Sequence, residues 1–242
     1  MICVPENQKL IQTGIAGLDQ MCGGGIEQGS TVIVAAGAGS GKSTLAMQYI
    51  YNGITKFGEN GLYITFEEQK DKVYAHMKKF GFDLAEVEKS GKLKFLEYPP
   101  TEVDKFINSG SVIADIIEEN KIKRIVIDSV TSLVLLSESE YKRREAFLKT
   151  MSLLKRWGCT TLLTSEARQT ASGDVRSRFG LEYLADGFIV VHSIRKKDVR
   201  EFAIEVVKMR GLEHSKKMAP MKITSTGLIA YPNQTVFGDA GF

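Results

Sequence analysis

The chain has 242 residues, of which 43% are hydrophobic and 25% are charged, and its formal net charge is +3. These values are typical of a folded globular protein, and we expect residues 1–242 to form a single α/β domain. So small a positive charge does not by itself argue for nucleic-acid binding. The amino-terminal residues lack a signal-peptide pattern and no apolar run approaches the ~20 residues that span a bilayer, so we expect a cytoplasmic protein with no membrane partner.

Cysteine usage agrees with a reducing compartment. Cys3, Cys22 and Cys159 are an odd number, and neither a Cys-x-x-Cys spacing nor a histidine cluster accompanies them. The sequence therefore predicts neither a disulfide framework nor a zinc site.

Apolar runs that predict strands alternate with segments of helical periodicity. After a turn-rich stretch over 1–30, strands are predicted at 31–35, 62–66, 93–95, 124–129, 160–166, 187–191, 201–209 and 221–224. Helices are predicted after residue 42, over 70–90 with a break at Gly81, over 101–119, and around 147–154 before Gly158; a polar loop is predicted for 167–180. This order predicts an α/β fold with a mostly parallel central sheet flanked by helices, and an antiparallel β extension at the carboxyl end.

The most informative segment is 36–44, AGAGSGKST, which follows an apolar strand and precedes an amphipathic helix. Glycines in such a loop let successive N–H groups point at phosphate oxygens, and the helix adds the positive end of its dipole. Lys42 would reach the β- and γ-phosphates, and Ser43 would ligate Mg²⁺. The predicted nucleotide contacts in this loop are Ala38, Gly39, Ser40, Gly41, Lys42, Ser43 and Thr44. We favour binding of a nucleoside triphosphate over a glycine-rich turn that happens to contain lysine.

One position departs from the phosphate-loop pattern. The pattern expects glycine at its first position, where this chain has Ala36. We expect the neighbouring Gly37 to provide the turn.

Acidic residues end two of the predicted strands. Asp128 ends a strand that we expect to lie beside the phosphate-loop strand, so its carboxylate would face the Mg²⁺ held by Ser43, directly or through water. Glu67 and Glu68 end another strand, where a carboxylate could orient and deprotonate the attacking water; we favour Glu67 as this base. The alternatives are that Asp128 caps the next turn and that the two glutamates form a solvated turn.

Several spaced motifs occur in the order found in one family of ATPases. Together they resemble one KaiC-type ATPase domain of the RecA superfamily, and they cover nearly the whole chain. The resemblance implies a RecA-like P-loop NTPase core that assembles into rings, usually hexamers, with ATP at the subunit interfaces. The motifs are TGIAGLD at 13–19, GGG at 23–25, the phosphate loop, ITFEE at 64–68, KFGFDL at 79–84, IDS at 127–129, LTSE at 163–166 and VKMRG at 207–211.

The resemblance assigns roles to residues near the carboxyl end. Lys208 and Arg210 would act in trans on the γ-phosphate bound by the neighbouring subunit, and Met209 and His214 would lie near the base and ribose of that nucleotide. From the residues alone, Lys208 and Arg210 merely share one face of a strand, and a solvated edge is the preferred interpretation.

The loop that follows the strand at 160–166 could contact DNA. It carries Arg168, Arg176, Arg178 and Phe179, and recombinases of the same superfamily hold single-stranded DNA with the corresponding loop. A polar loop that lines a ring channel is the simpler interpretation. The basic run 142–144 is interpreted as a solvated face.

The sequence leaves three hypotheses for function. The first is a ring-forming ATPase that hydrolyses Mg²⁺·ATP slowly and acts as a conformational or regulatory switch; slow turnover is inferred because no dedicated substrate pocket is evident. The second is a module in which ATP mainly holds the ring together. The third is a recombinase-like DNA-binding ATPase. The family's clock protein has two such domains and this chain has one, so an autokinase or circadian role does not follow. The protein partner is not predicted.

Overall fold

The computed structural model describes residues 9–99, 102–135, 139–169, 174–196 and 198–236. Cys3, and the parts of the predicted elements at 1–8, 100–101 and 170–173, lie outside these residues. The helices of the described chain are α1 (Leu18–Met21), α2 (Lys42–Phe57), α3 (Lys70–Lys78), α4 (Leu84–Lys89), α5 (Val103–Asn108), α6 (Gly110–Glu119), α7 (Val130–Leu135) and α8 (Glu140–Trp157).

A large sheet forms the centre of the fold, and a two-stranded sheet of β1 and β2 lies apart from it. The strands are β1 (Leu10–Ile11), β2 (Ile26–Glu27), β3 (Thr31–Ala36), β4 (Asn60–Thr65), β5 (Leu93–Glu97), β6 (Ile122–Asp128), β7 (Thr160–Gln169), β8 (Val175–Ser177), β9 (Gly187–Lys196), β10 (Val199–Met209), β11 (Ala219–Thr224) and β12 (Gly227–Ala230). The order across the large sheet is β12-β11-β10-β9-β3-β7-β6-β4-β5, with β8 paired to β7.

The large sheet has a parallel part and an antiparallel part. Strands β9, β3, β7, β6, β4 and β5 run parallel to one another. Strands β10, β11 and β12 continue the sheet in antiparallel pairs. The predicted fold class, a mostly parallel sheet with an antiparallel carboxyl-terminal extension, is confirmed.

The predicted position of the Asp128 strand is wrong. β3 pairs with β7 and β9, and β7 lies between β3 and β6, which carries Asp128. β7 suits this central place because its residues 160–165 are buried, as expected for a parallel strand covered on both faces. The order of the strands in the sequence does not reveal that β7 lies between β3 and β6, because β7 follows both strands in the chain.

Two other predicted elements differ from the structure. The polar loop predicted for 167–180 begins as regular sheet: β7 runs to Gln169 and pairs antiparallel with β8. The helix predicted for 101–119 is divided into α5 and α6 at Ser109. The division suits the close approach of α6 to α8, because a Cβ placed on Gly110 would lie 2.8 Å from Leu153 Cδ2.

The sheet separates two hydrophobic cores. Alternate residues of β3 face opposite sides, with Val32 and Val34 in one core and Ile33 and Ala35 in the other. Helices α2, α3 and α4 cover the first side, and α6, α7 and α8 cover the second. None of the helices in the described ranges is both long enough and apolar enough to cross a membrane.

A buried arginine fastens β6 to α2. Arg124 is 1% exposed; its Nε donates to Glu59 Oε2 at 2.7 Å and its two terminal nitrogens donate to the carbonyls of Tyr49 and Gln12. The guanidinium also lies over the rings of Tyr49 and Phe57, at 4.6 and 5.2 Å. Since a buried charge is tolerated only when it is paired and hydrogen-bonded, these contacts hold the start of β6 against the end of the phosphate-loop helix.

We predict that Glu59→Gln destabilises the fold. The substitution removes the charge partner of a buried guanidinium, which typically costs about 3 kcal/mol in the free energy of unfolding. Chemical denaturation at a fixed protein concentration measures this loss. Glu102→Gln is the matched control, because Glu102 pairs with Lys105, whose side chain is 68% exposed, and the control is expected to cost less than about 1 kcal/mol. Equal losses in the two variants would contradict the role given to Glu59.

Candidate nucleotide-binding site

The phosphate loop connects β3 to α2 at the carboxyl edge of the parallel strands. Its left-handed backbone falls at Gly39 (φ 72°) and Gly41 (φ 84°). Ala36 is the last residue of β3 and pairs with Glu166 on one side and Val191 on the other, so its backbone is extended and tolerates a Cβ. Gly37 begins the turn, because its carbonyl accepts a hydrogen bond from Ser40 N at 3.3 Å. The left-handed conformations that need glycine come later in the loop.

The loop has the features of an anion site. Gly41 is the N-cap of α2 and has no side chain to accept a hydrogen bond from the first turn. Ser40 Oγ is buried and has no hydrogen-bond partner within the described chain. Unsatisfied donors at a helix amino terminus favour a negatively charged ligand, so these residues fit a bound phosphate.

A cavity of about 190 Å³ opens against this loop. Glu68, Val73, His76 and Met77 line its other wall. The predicted loop contacts all lie together, and six of them, Gly39 to Thr44, line this cavity. Ala38 belongs to the same turn. These residues form one continuous candidate site.

The carboxyl-terminal hairpin of β11 and β12 packs against the phosphate loop. A Cβ placed on Gly41 would lie 2.9 Å from Ile223 Cδ1 of β11, so the hairpin touches the loop directly. Gln48 of α2 fastens the same hairpin, because its Nε2 donates to Leu228 O at 3.2 Å and its Oε1 accepts from Leu228 N at 2.7 Å. The shape of the phosphate loop therefore depends on β11 and β12.

Glu67 is held close to Lys42. The Glu67 Oε1 atom accepts hydrogen bonds from Ser129 Oγ and from Ser132 Oγ, the latter at 3.0 Å. Its other oxygen lies 4.0 Å from Lys42 Nζ. The side chain is 37% exposed, so the fixed carboxylate remains in reach of water. Two hydroxyl donors and one cation thus orient the predicted base at the edge of the phosphate loop.

Glu68 has a different environment. Its backbone N–H and that of Glu67 both donate to Thr65 Oγ1, which forms the turn at the end of β4. The Glu68 side chain is exposed and borders the cavity at the phosphate loop. Only Glu67 has the hydroxyl contacts that fix its carboxylate.

Asp128 is buried at the end of β6, between β4 and β7. Tyr63 donates to Asp128 Oδ2 at 2.6 Å, and Thr164 donates to Oδ1. Burial, and secondly the Asp128 charge, raise the pKa of Tyr63 well above its usual value, so the phenol remains a donor. Carboxylate and hydroxyl oxygens are the ligands that Mg²⁺ prefers, so Asp128 and Ser43 fit the metal chemistry predicted for them.

Lys208 and Arg210 lie at the opposite edge of the sheet from the phosphate loop. Met209 pairs with Gly187, which pairs with Val32 near the start of β3. Lys208 Nζ donates to Ala185 O at 2.6 Å, and an Arg210 nitrogen lies 3.2 Å from Asp186 Oδ1. Partial burial, followed by the charge of Arg210, lowers the pKa of Lys208 below its usual value.

Met209 and His214 are both buried within this chain, at 6% and 8% exposure. Met209 packs against the start of β9, where a Cβ on Gly187 would lie 2.9 Å from its Sδ. His214 Nδ1 lies 3.0 Å from Ser215 O, and its Nε2 lies 2.9 Å from Lys216 Nζ. Their contact with a neighbour's base and ribose stays a prediction.

Sequence reasoning missed the residues that orient the acids. Tyr63 and Thr164 hold Asp128, while Ser129 and Ser132 hold Glu67. One signal lies in the sequence. Tyr63 stands two residues before Thr65 on β4, so the two side chains lie on the same face of the strand. Thr65 pairs with Asp128, so that face brings Tyr63 close to the Asp128 carboxylate. Nothing in the spacing indicates that Ser132 turns back from α7 to the end of β4.

A lysine-bearing phosphate loop between strand and helix, with carboxylates at the ends of neighbouring parallel strands, defines a P-loop nucleotide-binding protein with a RecA-like core. Residues 11–235 match the family model described as ATPase: KaiC. This chain therefore belongs to the KaiC ATPase family.

Similar proteins include both longer and equally short chains. The circadian clock oscillator protein KaiC of Synechococcus elongatus is 30% identical over 92% of this chain but only 44% of its own length. A UPF0273 protein of Thermotoga maritima is 30% identical over 93% of this chain and 97% of its own. The crystal structure of a KaiC-like protein from Pyrococcus horikoshii OT3 is 36% identical and superposes with a TM-score of 0.84, covering 93% of this chain and all of that one. The chain thus spans less than half of the KaiC clock proteins that it matches.

We predict that Lys42→Ala removes the stabilisation that Mg²⁺·ATP gives to the folded protein. A ligand at about 100 times its Kd stabilises the folded state by about 2.7 kcal/mol. Thermal unfolding with and without nucleotide measures this effect. Lys56→Ala on the same helix is the control, because Lys56 Nζ donates to Gly14 O at the far end of α2, and it should keep the full nucleotide-dependent shift. A shift of equal size in Lys42→Ala would contradict the assignment of this loop.

Proposed function

We propose that this protein binds Mg²⁺·ATP between the subunits of a ring-shaped homo-oligomer, in keeping with hexamers, and hydrolyses it slowly as a conformational or regulatory switch. The observation that carries the proposal is the separation of two sets of functional side chains on opposite edges of one sheet. The phosphate loop and the acids lie at one edge, and Lys208 and Arg210 lie at the other.

The separation is too large for both sets to act on one nucleotide within a single chain. β3 has six residues, and at about 3.3 Å per residue it spans roughly 17 Å between the two edges. A head-to-tail neighbour would bring its Lys208 and Arg210 to the phosphate loop of this chain. Such heterologous contacts close into rings when the rotation permits.

The chemical roles follow from the geometry at the loop. Lys42 would bind the β- and γ-phosphates, while Ser43 and Asp128 would hold Mg²⁺, which neutralises phosphate charge when bound. Glu67, held by two hydroxyl donors, would orient the attacking water and accept its proton. The neighbour's Lys208 and Arg210 would stabilise the charge that develops on the γ-phosphate.

The contacts of Lys208 support slow turnover. Its Nζ donates to Ala185 O at 2.6 Å and to Tyr183 O at 3.3 Å. To reach a neighbour's phosphate, the ammonium group must leave these carbonyls, which costs free energy before each hydrolysis. A cycle limited by such a rearrangement suits a switch better than a rapid metabolic enzyme.

We predict that Glu67→Gln lowers ATP hydrolysis about 10²–10⁴-fold, the usual contribution of a general base, while nucleotide binding and assembly persist. Gln keeps an oxygen that can accept the hydrogen bonds of Ser129 and Ser132, so the fold should be retained. Phosphate release and light scattering measure the two properties. Glu68→Gln is the matched control and should retain most activity. If Glu67→Gln hydrolyses ATP at the parental rate, the base is assigned wrongly.

We also predict that two inactive variants restore activity when mixed. Lys42→Ala lacks a working phosphate loop, and the double variant Lys208→Ala with Arg210→Ala lacks the trans cations. Random equimolar mixing would give roughly a quarter of the interfaces an intact loop facing an intact cation pair. Phosphate release is measured after the subunits have been exchanged. Activity no greater than the sum of the separate variants would exclude a shared site.

A further inference from the structure

Asp186 connects the start of β3 to the residue that follows β10. Its backbone N–H donates to Thr31 O at 2.9 Å, and Thr31 N donates to Asp186 Oδ2 at 3.0 Å. Its backbone carbonyl accepts from Arg210 N at 2.9 Å. Thr31 begins the strand that leads into the phosphate loop, and Arg210 comes directly after the end of β10. Asp186 therefore fixes the backbone that carries Arg210.

The Asp186 carboxylate also holds the Arg210 side chain. Arg210 Nη1 donates to Asp186 Oδ1 at 3.2 Å, and Arg210 Nη2 donates to Tyr183 O at 3.1 Å. Because Thr31 N fixes the other carboxylate oxygen, these two contacts set the orientation of the guanidinium plane. The side chains of Arg210 and Asp186 are 55% and 37% exposed, so the oriented guanidinium remains accessible from outside the chain.

The two cations proposed to act in trans are held in different ways. A guanidinium has five N–H donors, and Arg210 uses two of them in the contacts with Asp186 and Tyr183. An ammonium group has three donors, and Lys208 Nζ lies 2.6, 3.3 and 3.5 Å from three carbonyl oxygens. Within the described chain, Arg210 thus keeps donors for phosphate oxygens while its own contacts persist, whereas Lys208 must first release its carbonyls.

We propose that Asp186 is a positioning residue that presents Arg210 of each subunit to the γ-phosphate bound by its neighbour. The inference rests on the proposed function, because it requires that Arg210 acts in trans. A long side chain loses conformational freedom when it is ordered, and a guanidinium already oriented by a carboxylate loses less when a phosphate binds. Charge that develops during hydrolysis is stabilised best by donors fixed in advance. Asp186 acts through Arg210 and does not itself contact the nucleotide.

The test begins with Asp186→Asn in the full-length protein. Asparagine keeps an oxygen that can accept from Thr31 N, but it lacks the negative charge and turns an amide donor toward Arg210. A displacement of about 1 Å can cost about 10²-fold in rate, so we expect phosphate release to fall at least about tenfold. The stabilisation by Mg²⁺·ATP in thermal unfolding should largely persist, because the phosphate loop keeps its own contacts.

Glu102→Gln is the matched control for this substitution. Glu102 is also 37% exposed and also pairs with one cation, that of Lys105. The control should hydrolyse ATP within about twofold of the parental rate, as expected for a surface substitution. A loss in Glu102→Gln equal to that in Asp186→Asn would indicate a general effect of surface charge and would overturn the proposal.

Mixing experiments distinguish a role through Arg210 from a structural role in the phosphate-loop strand. Asp186→Asn is mixed with Lys42→Ala, which has intact cations, and separately with the double variant Lys208→Ala, Arg210→Ala, which has an intact loop. If Asp186 acts through Arg210, activity above the sum of the separate proteins returns only in the first mixture. If the substitution damages the phosphate loop through β3, activity returns only in the second. That result, or recovery in both mixtures or in neither, would overturn the proposal.

The mixture of Lys42→Ala with the double variant separates failure of this inference from failure of the proposed function. If that mixture regains activity while Asp186→Asn hydrolyses ATP at the parental rate, Asp186 has no positioning role and the shared site stands. If that mixture stays inactive, both proposals fail. Should thermal unfolding show that Asp186→Asn does not fold, Asp186→Glu is carried through the same mixtures, because it keeps the charge but moves the carboxylate by one methylene.

Discussion

The common direction and register of β3, β7, β6 and β4 is the constraint on which the candidate site depends. In a parallel sheet the carboxyl ends of the strands meet at one edge, and there Ala36 of β3 pairs with Glu166 of β7, while Asp128 of β6 pairs with Thr65 of β4. The phosphate loop leaves β3 at this edge, while Glu67 follows β4. Reversal of direction at β10 then places Lys208 at the other edge. The two sets of side chains to which we assign functions thus lie at opposite ends of the strands of one sheet.

Local sequence predicted much of this arrangement because the relevant physics is local. A glycine-rich loop with lysine between an apolar strand and an amphipathic helix is typical of a phosphate-binding site, and the structure places Lys42 and Ser43 in the first turn of α2. Acids at strand ends were recognisable for the same reason. Ala36, which stands where the phosphate-loop pattern expects glycine, does not disturb the loop because the conformations that require glycine fall at Gly39 and Gly41.

Features that depend on contacts between distant segments could not be predicted. The insertion of β7 between β3 and β6 is a property of topology, and periodicity does not encode it. Arg124 stands in the sequence as an ordinary charge at the start of a strand, yet it is buried among partners up to 112 positions away. Arg143 and Arg144 likewise lie over the rings of Phe179 and Tyr183. These contacts cannot be predicted from the sequence, because the partners are far apart in the chain.

The support of the phosphate loop by β11 and β12 has a consequence for the order of events during synthesis. The loop and its helix are synthesised early, but Ile223 and Leu228, which contact the loop and bind Gln48, follow about 180 residues later. A growing chain on the ribosome therefore carries an unsupported loop until residue 228 has emerged. Nucleotide would then bind only to chains in which the β11–β12 hairpin has packed against the loop. Free ATP in the cell would stabilise the nascent chains whose hairpin has packed.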